Sequence, residues 1–585
     1  MEVPPAPASS RPVWPWLLLL LAVVLACLGP GRTAPLFTDD LHQLGWVRGF
    51  HSWTDVLGRD VFGFLRPAKN ILFKLAAPWE QNLPAWHAFG FATYLLGTLG
   101  VFRIALVWME NRFTALLAAV IWALSPTGVS SALWMSCANI SLGLFFTAGV
   151  VCFHERNAVR FRPGFLLIQL VFLLLSLMCY EPFVAVPAVL LARDFQQGRL
   201  RTDKRTLAAF GGLGLVCLGF LVARHFSMAK TTAGDPFHTR FAPGITNLQV
   251  FLSAPWFLWR HFSMWVAPFG RLEVLGNYVW LQSASPIMLG CAWGFLAVLA
   301  ASVVWLWKRM PMVAFGLLFF LLASLPAGNF LPAFNGPIAD YYVLVPSVGL
   351  ALAGADLCAR LARRFAEARR LRRAENALWV PALLGIILLV RLPVCALYSG
   401  HWAETWTRPG AMLLRAAEAR PFQIQPRAMA AIFLLDQGYA EAAEAAAARA
   451  ATEGPWSPMA RFALARTALF RDNLPVAEQN YRYLVGAPDV PPELKEAACF
   501  DLASLLALKP ESRSEAADLC RSMLVDPIGP RHAKAIGLLA HIYRQQGDAA
   551  RARATLERGL RNLPGNALLE GDLKALDEAG RKAGP

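Results

Sequence analysis

The chain has 585 residues, of which 56% are hydrophobic and 16% are charged, against about a quarter charged residues in ordinary soluble domains. This composition excludes an ordinary soluble protein, and the length is too great for one compact domain. The formal charge of +16 invites a nucleic-acid partner, but most Lys and Arg lie in short segments between apolar blocks. Basic residues there set membrane orientation, so no nucleic-acid binding is expected.

Apolar blocks as long as a membrane span recur before residue 400. A span needs about 20 residues, and the sequence predicts about eleven spans, near 13–28, 84–108, 113–133, 138–154, 164–180, 182–193, 206–223, 284–307, 311–326, 341–358 and 377–398. We interpret the first block as an uncleaved anchor and not a signal peptide, because further spans follow it. The apolar segment 248–269 contains Arg260 and His261. We expect it to be interfacial or re-entrant, since a charge at mid-membrane is costly.

Basic segments between the blocks predict the orientation. With eleven spans, the basic segments all fall on one side of the membrane, which the positive-inside rule makes cytoplasmic. These segments are 156–162, 193–205, 308–309 and 360–373. The outer face then receives 30–83, 225–283, 327–340 and everything after 400. The sequence thus predicts an integral protein of the inner or plasma membrane whose first loop and C-terminal region share the extracytoplasmic side.

A repeat with a period close to 34 residues begins near residue 421, which is the spacing of tetratricopeptide repeats. In the clearest unit, 533–566, Gly547 makes the turn between two helices and Pro564 ends the second. We count four repeats and a capping helix near 568–580. The predicted domains are a membrane domain over 1–400, a linker over 401–420 and a repeat domain over 421–585. The concave surface of such a solenoid is expected to bind a protein or peptide.

Two adjacent carboxylates, Asp39 and Asp40, follow the first span. One explanation is helix capping, with Thr38 or Asp39 as the N-cap and acids in the first turn. The other is a general base at the membrane surface whose neighbour orients it or tunes its pKa. His, Cys, Asp and Glu do not recur at the spacing of metal ligands, so no metal site and no cofactor are expected.

The order of several short motifs resembles that of a known family. After the paired acids come Phe64-Leu65-Arg66-Pro67, Ser125-Pro126 with Trp134 to Ser136, Tyr180-Glu181 and Asp340-Tyr341-Tyr342, and the repeats close the chain. This order is similar to that of the transmembrane and tetratricopeptide-repeat O-mannosyltransferases and their bacterial relatives. That family belongs to the GT-C glycosyltransferases, which use lipid-phosphate-linked sugars. The resemblance covers nearly the whole chain and implies an all-α protein, with a polytopic GT-C-like domain followed by the tetratricopeptide solenoid.

The resemblance also implies roles for particular residues. Asp39 and Asp40 match the family's paired acids, with Asp39 as the base. Arg66 matches its Arg-Pro element, and Glu181 matches its later loop glutamate. Tyr180 precedes that glutamate where a Lys is usual, a departure that concerns the sugar and the acceptor more than the fold.

Further residues are candidates for binding the substrate. A departing lipid phosphate needs positive charge or hydrogen-bond donors, for which Arg66, Arg240 and Arg260 are available. Glu181 and Asp340 are expected to line the same cavity, because carboxylates between spans are functional candidates by default. Asp340 stands where a Glu-Arg pair is common in the family.

These residues predict a membrane glycosyltransferase that moves a sugar from a polyprenyl-phosphate donor to a hydroxyl of an exported protein or glycan. Its partners would be the lipid-linked donor, membrane lipids and a protein or peptide on the repeat surface. One alternative is a non-catalytic, membrane-anchored scaffold for envelope proteins. Another is a transporter or ligase of lipid-linked glycans. The paired acids favour the enzyme.

Overall fold

The computed structural model describes residues 12–371 and 379–582, with gaps at 51, 62, 110, 201–202, 230–245, 271, 273, 275–285, 329, 331–337, 419–423, 489, 491 and 525–531. Within these ranges the chain forms 25 α-helices joined by loops and short 3-10 turns, without a β-strand. The prediction of an all-α protein is confirmed.

Fifteen of the helices form a bundle at the N-terminal side: α1 (Trp14–Leu28), α2 (Asp39–Arg48), α3 (Pro67–Ala76), α4 (Leu83–Met109), α5 (Arg112–Ala123), α6 (Val129–Leu133), α7 (Met135–Val159), α8 (Pro163–Cys179), α9 (Val186–Gln196), α10 (Lys204–Ala229), α11 (Asn247–Val266), α12 (Pro286–Leu306), α13 (Pro311–Ser324), α14 (Ser347–Leu371) and α15 (Trp379–Thr405). The long helices α4 and α7 pack along each other at its centre. Gly90 permits α4 to approach α6 closely, since a Cβ there would lie 2.1 Å from the carbonyl oxygen of Ala132.

The predicted count of eleven spans is wrong. Five helices in the described part of the chain are long and apolar enough to cross a membrane: Trp14–Thr33, Leu83–Met109, Met135–Val159, Lys204–Ser227 and Pro286–Leu306. The count rises to six if α5 and the segment that ends in α6 form one broken span, since they meet at an angle of 64°. Several apolar helices are therefore suited to a membrane, in fewer crossings than the sequence indicated.

The number of spans was overestimated because hydropathy detects apolar residues but does not detect the turns that divide them into short helices. Helices α8 and α13 are apolar but contain only 17 and 14 residues, short of the roughly 20 that a span requires. The block 182–193 opens as a 3-10 turn and continues as the 11-residue α9. The block 341–358 likewise opens as a turn before the charged α14, and 377–398 lies partly outside the described residues.

The two ends of the bundle differ in charge. Near the end of α7, Glu155 pairs with Arg199, and Gln196 donates a hydrogen bond to the carbonyl of Pro311 at 2.6 Å. These contacts gather the basic segments 156–162, 193–205 and 308–309 at one end. Asp40 instead contacts Ser136, at the start of α7, about 29 Å away along the helix at 1.5 Å per residue.

Ten helices follow: α16 (Pro409–Glu418), α17 (Ile424–Asp436), α18 (Ala440–Glu453), α19 (Pro458–Phe470), α20 (Leu474–Gly486), α21 (Pro492–Ala507), α22 (Arg513–Met523), α23 (Ala533–Gln545), α24 (Ala549–Asn562) and α25 (Ala567–Lys582). From α17 to α24 they pack as four successive pairs, and α25 covers the last pair. This is a tetratricopeptide-like solenoid with the four repeats and capping helix that the sequence predicts. The segment 401–420 contains the end of α15 and the whole of α16.

Small residues and glycine turns account for the helix pairs. Ala443, Ala477 and Ala552 are buried where paired helices cross, because a methyl side chain permits close approach. Gly438 and Gly547 have φ of +85° and +81°, a left-handed conformation that glycine adopts without steric cost. The turn sequence therefore determines where each first helix ends.

The first repeat packs directly on the bundle. Phe37, in the loop before α2, stacks on Phe433 of α17 with ring centroids 5.5 Å apart and planes at 2°. Phe37 also meets the edges of Trp134 and Trp406, each at 5.1 Å. The loop that carries the paired acids is therefore held between the bundle and the solenoid.

Candidate active site

Backbone strain marks the start of α2. Thr38 has φ of 37°, a conformation that costs about 1–3 kcal/mol for a residue with a side chain. Thr38 occupies the N-cap position, but its side chain makes no capping hydrogen bond. Asp39 is the first residue of the helix and not its cap. Side-chain capping by Thr38 is therefore absent, although both acids lie in the first turn of α2, as the capping explanation expects.

Asp40 is committed to a structural contact. Its carboxylate accepts a hydrogen bond at 2.9 Å from the backbone N–H of Ser136, in the first turn of α7. Helix N-termini favour negative charge, because their N–H groups lack partners within the helix. Burial nevertheless raises the pKa of Asp40 to about 7, against the opposing hydrogen bonds from Ser136. Asp40 thus fixes the acid loop to the core of the bundle.

Asp39 differs from its neighbour in access. Burial raises its pKa above the ordinary value of 3.8, although Lys69 and His42 attract its negative charge. Its side chain is nevertheless only partly buried. A carboxyl group that lies deep among protein atoms and still reaches solvent lines a crevice. Asp39 is therefore the acid of the pair that solvent can reach.

Two arginines share one buried carboxylate beside this crevice. Arg66, before α3, binds Glu181 in a bidentate arrangement, with its Nε at 3.0 Å and its Nη2 at 2.8 Å from Oε2, and Nε also at 3.2 Å from Oε1. Arg224 of α10 approaches the same carboxylate, with Nε 3.4 Å from Oε1. Phe64 lies under both guanidinium groups, at 4.4 and 5.4 Å. These ion pairs connect the segment before α3, the turn after α8 and helix α10.

The charges of Glu181, Arg66 and Arg224 depend on one another. Burial opposes a charge on Glu181, but Arg66 and Arg224 outweigh burial and lower its pKa below 4.5. Burial would also lower the pKa of Arg66, but Glu181 and Asp60 raise it above its ordinary value. Two guanidinium groups thus face one carboxylate, so the group carries one net positive charge.

A second buried pair holds the loop below α3. Lys69 Nζ lies 3.3 Å from the Asp60 carboxylate, and both side chains are buried. Asn70 donates to the carbonyls of Val56, Gly58 and Arg59 and accepts from Gln43 of α2 at 2.7 Å. Because α2 carries Asp39, these bonds position the acid relative to Arg66 and Lys69.

Asp340 approaches the same region from a distant segment. It opens a 3-10 turn, and Ser130 Oγ of α6 donates to its carboxylate at 2.5 Å. Burial raises the pKa of Asp340 to about 7, against the opposing hydrogen bond from Ser130. The next residue, Tyr341, packs edge-on against Trp134 with ring centroids 5.5 Å apart. Since Trp134 also contacts Phe37, Asp340 lies behind the crevice, where it is fully buried.

The structure thus brings five of the seven sequence-predicted residues into one polar cluster, which we call the acid–arginine cluster: Asp39, Asp40, Arg66, Glu181 and Asp340. Arg260 lies at its edge, one residue before His261, whose ring packs against Tyr342 with centroids 6.0 Å apart. Arg240 lies outside the described residues.

Sequence reasoning missed three charged members of the cluster: Asp60, Lys69 and Arg224. A signal was present for two of them. Arg224 ends an apolar block, and an ionisable residue in a span is a functional candidate by default. Lys69 follows the Arg66-Pro67 element within a motif that was already of interest. Asp60 gives no signal in the sequence, because only the fold brings it to Lys69.

The described residues contain no group of three or more His, Cys, Asp or Glu side chains placed to hold a metal ion. The cations of the cluster are its arginines and its lysine. These side chains are suited to offset negative charge on a bound anion.

Comparison with known proteins adds little. No protein-family model matches the chain, and no curated protein matches it. Among solved structures, yeast Tom70 is similar over 83% of this chain and 96% of its own, with 14% sequence identity and a TM-score of 0.25. A likeness at that score carries no argument about fold or function. Resemblance to the GT-C transferases therefore rests on motif order.

Proposed function

We propose that the protein is a membrane glycosyltransferase that moves a sugar from a polyprenyl phosphate to a hydroxyl of an exported protein or glycan. One observation carries the proposal. Asp39 is a solvent-accessible carboxyl group with a raised pKa, and it lies within a cluster that also contains Lys69, Arg66 and Arg224. A base and several cations at one crevice suit the transfer of a group away from a phosphate.

In the proposed reaction the acceptor oxygen attacks the anomeric carbon of the donor sugar. The acceptor proton moves to Asp39, and the bond between the anomeric carbon and the phosphate oxygen breaks. The electron pair of that bond leaves with the lipid phosphate. The raised pKa of Asp39 suits this role, because a more basic carboxylate accepts the acceptor proton more readily.

The leaving phosphate gains negative charge, which the arginines are placed to offset. Arg66 and Arg224 together exceed the charge of Glu181 by one. Guanidinium groups suit phosphate because their planar N–H donors match two oxygens at once. Glu181 holds both arginines in place before the donor arrives, which reduces the cost of ordering them.

The solenoid would supply the acceptor. Contact between Phe37 and Phe433 requires the acid loop and the first repeat to lie on the same side of the membrane. Basic segments gathered at the opposite end of the bundle favour an outer location for the crevice, by the positive-inside rule. A polypeptide bound by the repeats would then lie next to Asp39.

Release of lipid phosphate tests the proposal. Full-length protein would be incubated with a panel of labelled polyprenyl-phosphate sugars and an acceptor peptide mixture. We expect sugar-dependent release of free lipid phosphate that Asp39→Asn abolishes. Asp55→Asn is the matched control, because Asp55 is an exposed acid of the same loop whose carboxylate accepts from Ser52, a bond that Asn retains.

A scaffold without catalysis remains the second candidate. Exposed apolar side chains recur at the helix–helix turn of three successive repeats, in Tyr439, Phe470 and Leu508. Such a row is suited to a protein partner. Partner binding by the solenoid without lipid phosphate release from any donor would favour the scaffold over the enzyme. Movement of intact lipid-linked glycan would instead favour a transporter or ligase.

A further inference from the structure

A cavity of about 510 Å³ opens at the basic end of the bundle, where α4, the end of α7 and the start of α8 meet. Four arginines line it, and we call it the four-arginine pocket: Arg103, Arg156, Arg160 and Arg162. The rest of its wall is apolar apart from Glu155, and includes Val107, Cys152 and Phe165. The acid–arginine cluster shares none of these residues.

The four arginines of the pocket carry positive charge that the described carboxylates do not pair with. Within the described part of the chain, none of the four guanidinium groups forms an ion pair with a carboxylate. Glu155 also lines the pocket, but Arg199 holds it with Nη1 at 2.6 Å and Nη2 at 3.0 Å. Trp108 Nε1 donates to Glu155 as well, at 3.0 Å. Arg199 also pairs with Asp194 and is therefore shared between two carboxylates. The pocket presents four cations against one acid, an excess of positive charge.

Two of the arginines are held in position by aromatic rings. Arg156 lies over Phe153 at 5.2 Å, and Arg162 lies over Phe165 at 5.3 Å. A guanidinium group over a ring face is attracted by the ring's electrons and keeps its N–H donors at the edge free for an anion. All four arginine side chains are exposed, and the two ring contacts orient Arg156 and Arg162 with N–H donors available to a phosphate.

A track of aromatic rings leads away from the pocket along α7 and α8. Phe153 packs on Phe165 at 5.8 Å and on Phe172 at 5.9 Å. Phe172 then meets Phe146 at 6.4 Å, and Phe146 meets Phe145 at 5.8 Å. Each of the five side chains retains some exposure. An apolar surface continuous with a phosphate pocket suits a molecule with an anionic head and hydrocarbon chains.

The position of the pocket separates it from the proposed donor site. Arg156 lies about 30 Å from Ser136 along α7, at 1.5 Å per residue, and Ser136 holds Asp40 of the acid–arginine cluster. Helix α7 is long and apolar enough to cross a membrane, whose hydrocarbon core is about 30 Å thick. The two sites therefore lie at opposite faces, so the pocket meets the other leaflet.

We propose that the four-arginine pocket binds an anionic glycerophospholipid, with its phosphate among the arginines and its acyl chains along the phenylalanine track. Soluble phosphate compounds would make no use of the track. A polyprenyl-phosphate sugar donor would bind at the acid–arginine cluster, at the opposite face, and not in this pocket. Basic pockets between membrane helices are suited to acidic lipid headgroups. This inference does not depend on the protein being a glycosyltransferase.

The test uses full-length protein in lipid nanodiscs. The thermal unfolding midpoint would be measured in phosphatidylcholine alone and with phosphatidylglycerol, polyprenyl phosphate or soluble inorganic phosphate added. A triple variant, Arg156→Gln, Arg160→Gln and Arg162→Gln, removes most of the pocket charge. Arg363→Gln with Arg364→Gln is the control, because both are exposed arginines that do not line the pocket. Native mass spectrometry would count the lipids retained by each protein.

We expect phosphatidylglycerol to raise the unfolding midpoint of wild type and of the control, and to be retained by both. The triple variant should lose most of this shift and retain at least tenfold less phosphatidylglycerol. The proposal is overturned if the triple variant responds like wild type. It is also overturned if inorganic phosphate alone reproduces the shift, or if polyprenyl phosphate does so in wild type and loses that effect in the triple variant, since the named occupant of the pocket would then be wrong. If the triple variant does not fold, Arg103→Gln alone should still reduce retention, and unchanged retention would overturn the proposal.

Discussion

Two carboxylates that are adjacent in the chain have different environments. Asp40 is fully buried and accepts from the N-terminus of α7, whereas Asp39 remains accessible beside Lys69 and Arg66. Neighbouring residues on a helix point about 100° apart, so burial of one side chain leaves the other facing the crevice. At the residue scale this difference separates a positioning acid from a proposed base.

The two acids should respond differently to substitution. Asp39→Asn should reduce transfer by about 100- to 10,000-fold, the usual contribution of a general base, with little change in the unfolding midpoint. Asp40→Asn keeps an oxygen for Ser136 and should retain most activity at pH 6, where the wild-type side chain is largely protonated, because burial raises its pKa to about 7. Transfer rates and thermal unfolding of both variants check this. Full activity in Asp39→Asn would remove the proposed base.

The ionisation of Asp340 makes stability depend on pH. Its pKa is raised by burial from an ordinary 3.8 to about 7 in the folded protein, so the folded state binds more protons between those values. The stability that Asp340 contributes is therefore present at low pH and is lost as pH rises through 7. Asp340→Asn keeps an acceptor for Ser130 and cannot ionise. The difference in unfolding midpoint between pH 5 and pH 8 should shrink in the variant. An identical difference in both proteins would contradict this.

At the scale of elements, the repeats were predictable and the spans were not. Gly547 and the alanines of each pair recur at fixed offsets, and those offsets reflect local turn geometry that the sequence itself encodes. Span counting failed at α8, α9 and α13 because these apolar helices contain only 17, 11 and 14 residues, and the turns that end them leave no mark in a hydropathy pattern. Hydropathy cannot separate an apolar helix packed on protein from one packed on lipid.

The last repeat offers a direct test of the turn argument. Gly547→Val places a β-branched residue at φ +81°, which costs at least about 1–2 kcal/mol. We expect faster proteolysis at α23 and α24 while the bundle stays intact. Gly571→Val is the control, because this glycine is an exposed helical residue of α25 and no atom lies within 4 Å of the position that its Cβ would take. Equal proteolysis of the two variants would contradict the claim that the turn requires glycine at position 547.

At the scale of the whole molecule, the crevice depends on contacts between segments hundreds of residues apart. The motif order identified Asp39, Arg66 and Glu181, but it contained nothing to join Glu181 to Arg224 or Phe37 to Phe433. Those pairs are set by tertiary packing, and their sequence neighbours have no common pattern. A single amino-acid sequence therefore predicts candidate site residues better than it predicts which of those residues are in contact in the fold.

Phe433 should act as a positioning residue across this junction. Phe433→Ala removes the ring that stacks on Phe37 and should loosen the strained Thr38 and the adjoining Asp39. We expect transfer to fall several-fold through kcat, while the helical content is unchanged. Phe470→Ala is the control, because Phe470 is 58% exposed in the next repeat. Equal activity of both variants would mean that the solenoid does not position the acid loop.

The same junction makes a prediction about topology. Because Phe37 touches Phe433, the acid loop and the solenoid must be reached from one side of the membrane. Gly198 lies in an exposed turn at the basic end, which the positive-inside rule assigns to the cytoplasm. Epitope tags inserted after Gly58 and after Gly438 should bind antibody on cells whose inner membrane is intact. A tag after Gly198 should bind only after that membrane is permeabilised. Opposite accessibility for the Gly58 and Gly438 tags would contradict the observed packing, whereas inversion of all three would keep the fold and remove the outer-face location of the proposed enzyme.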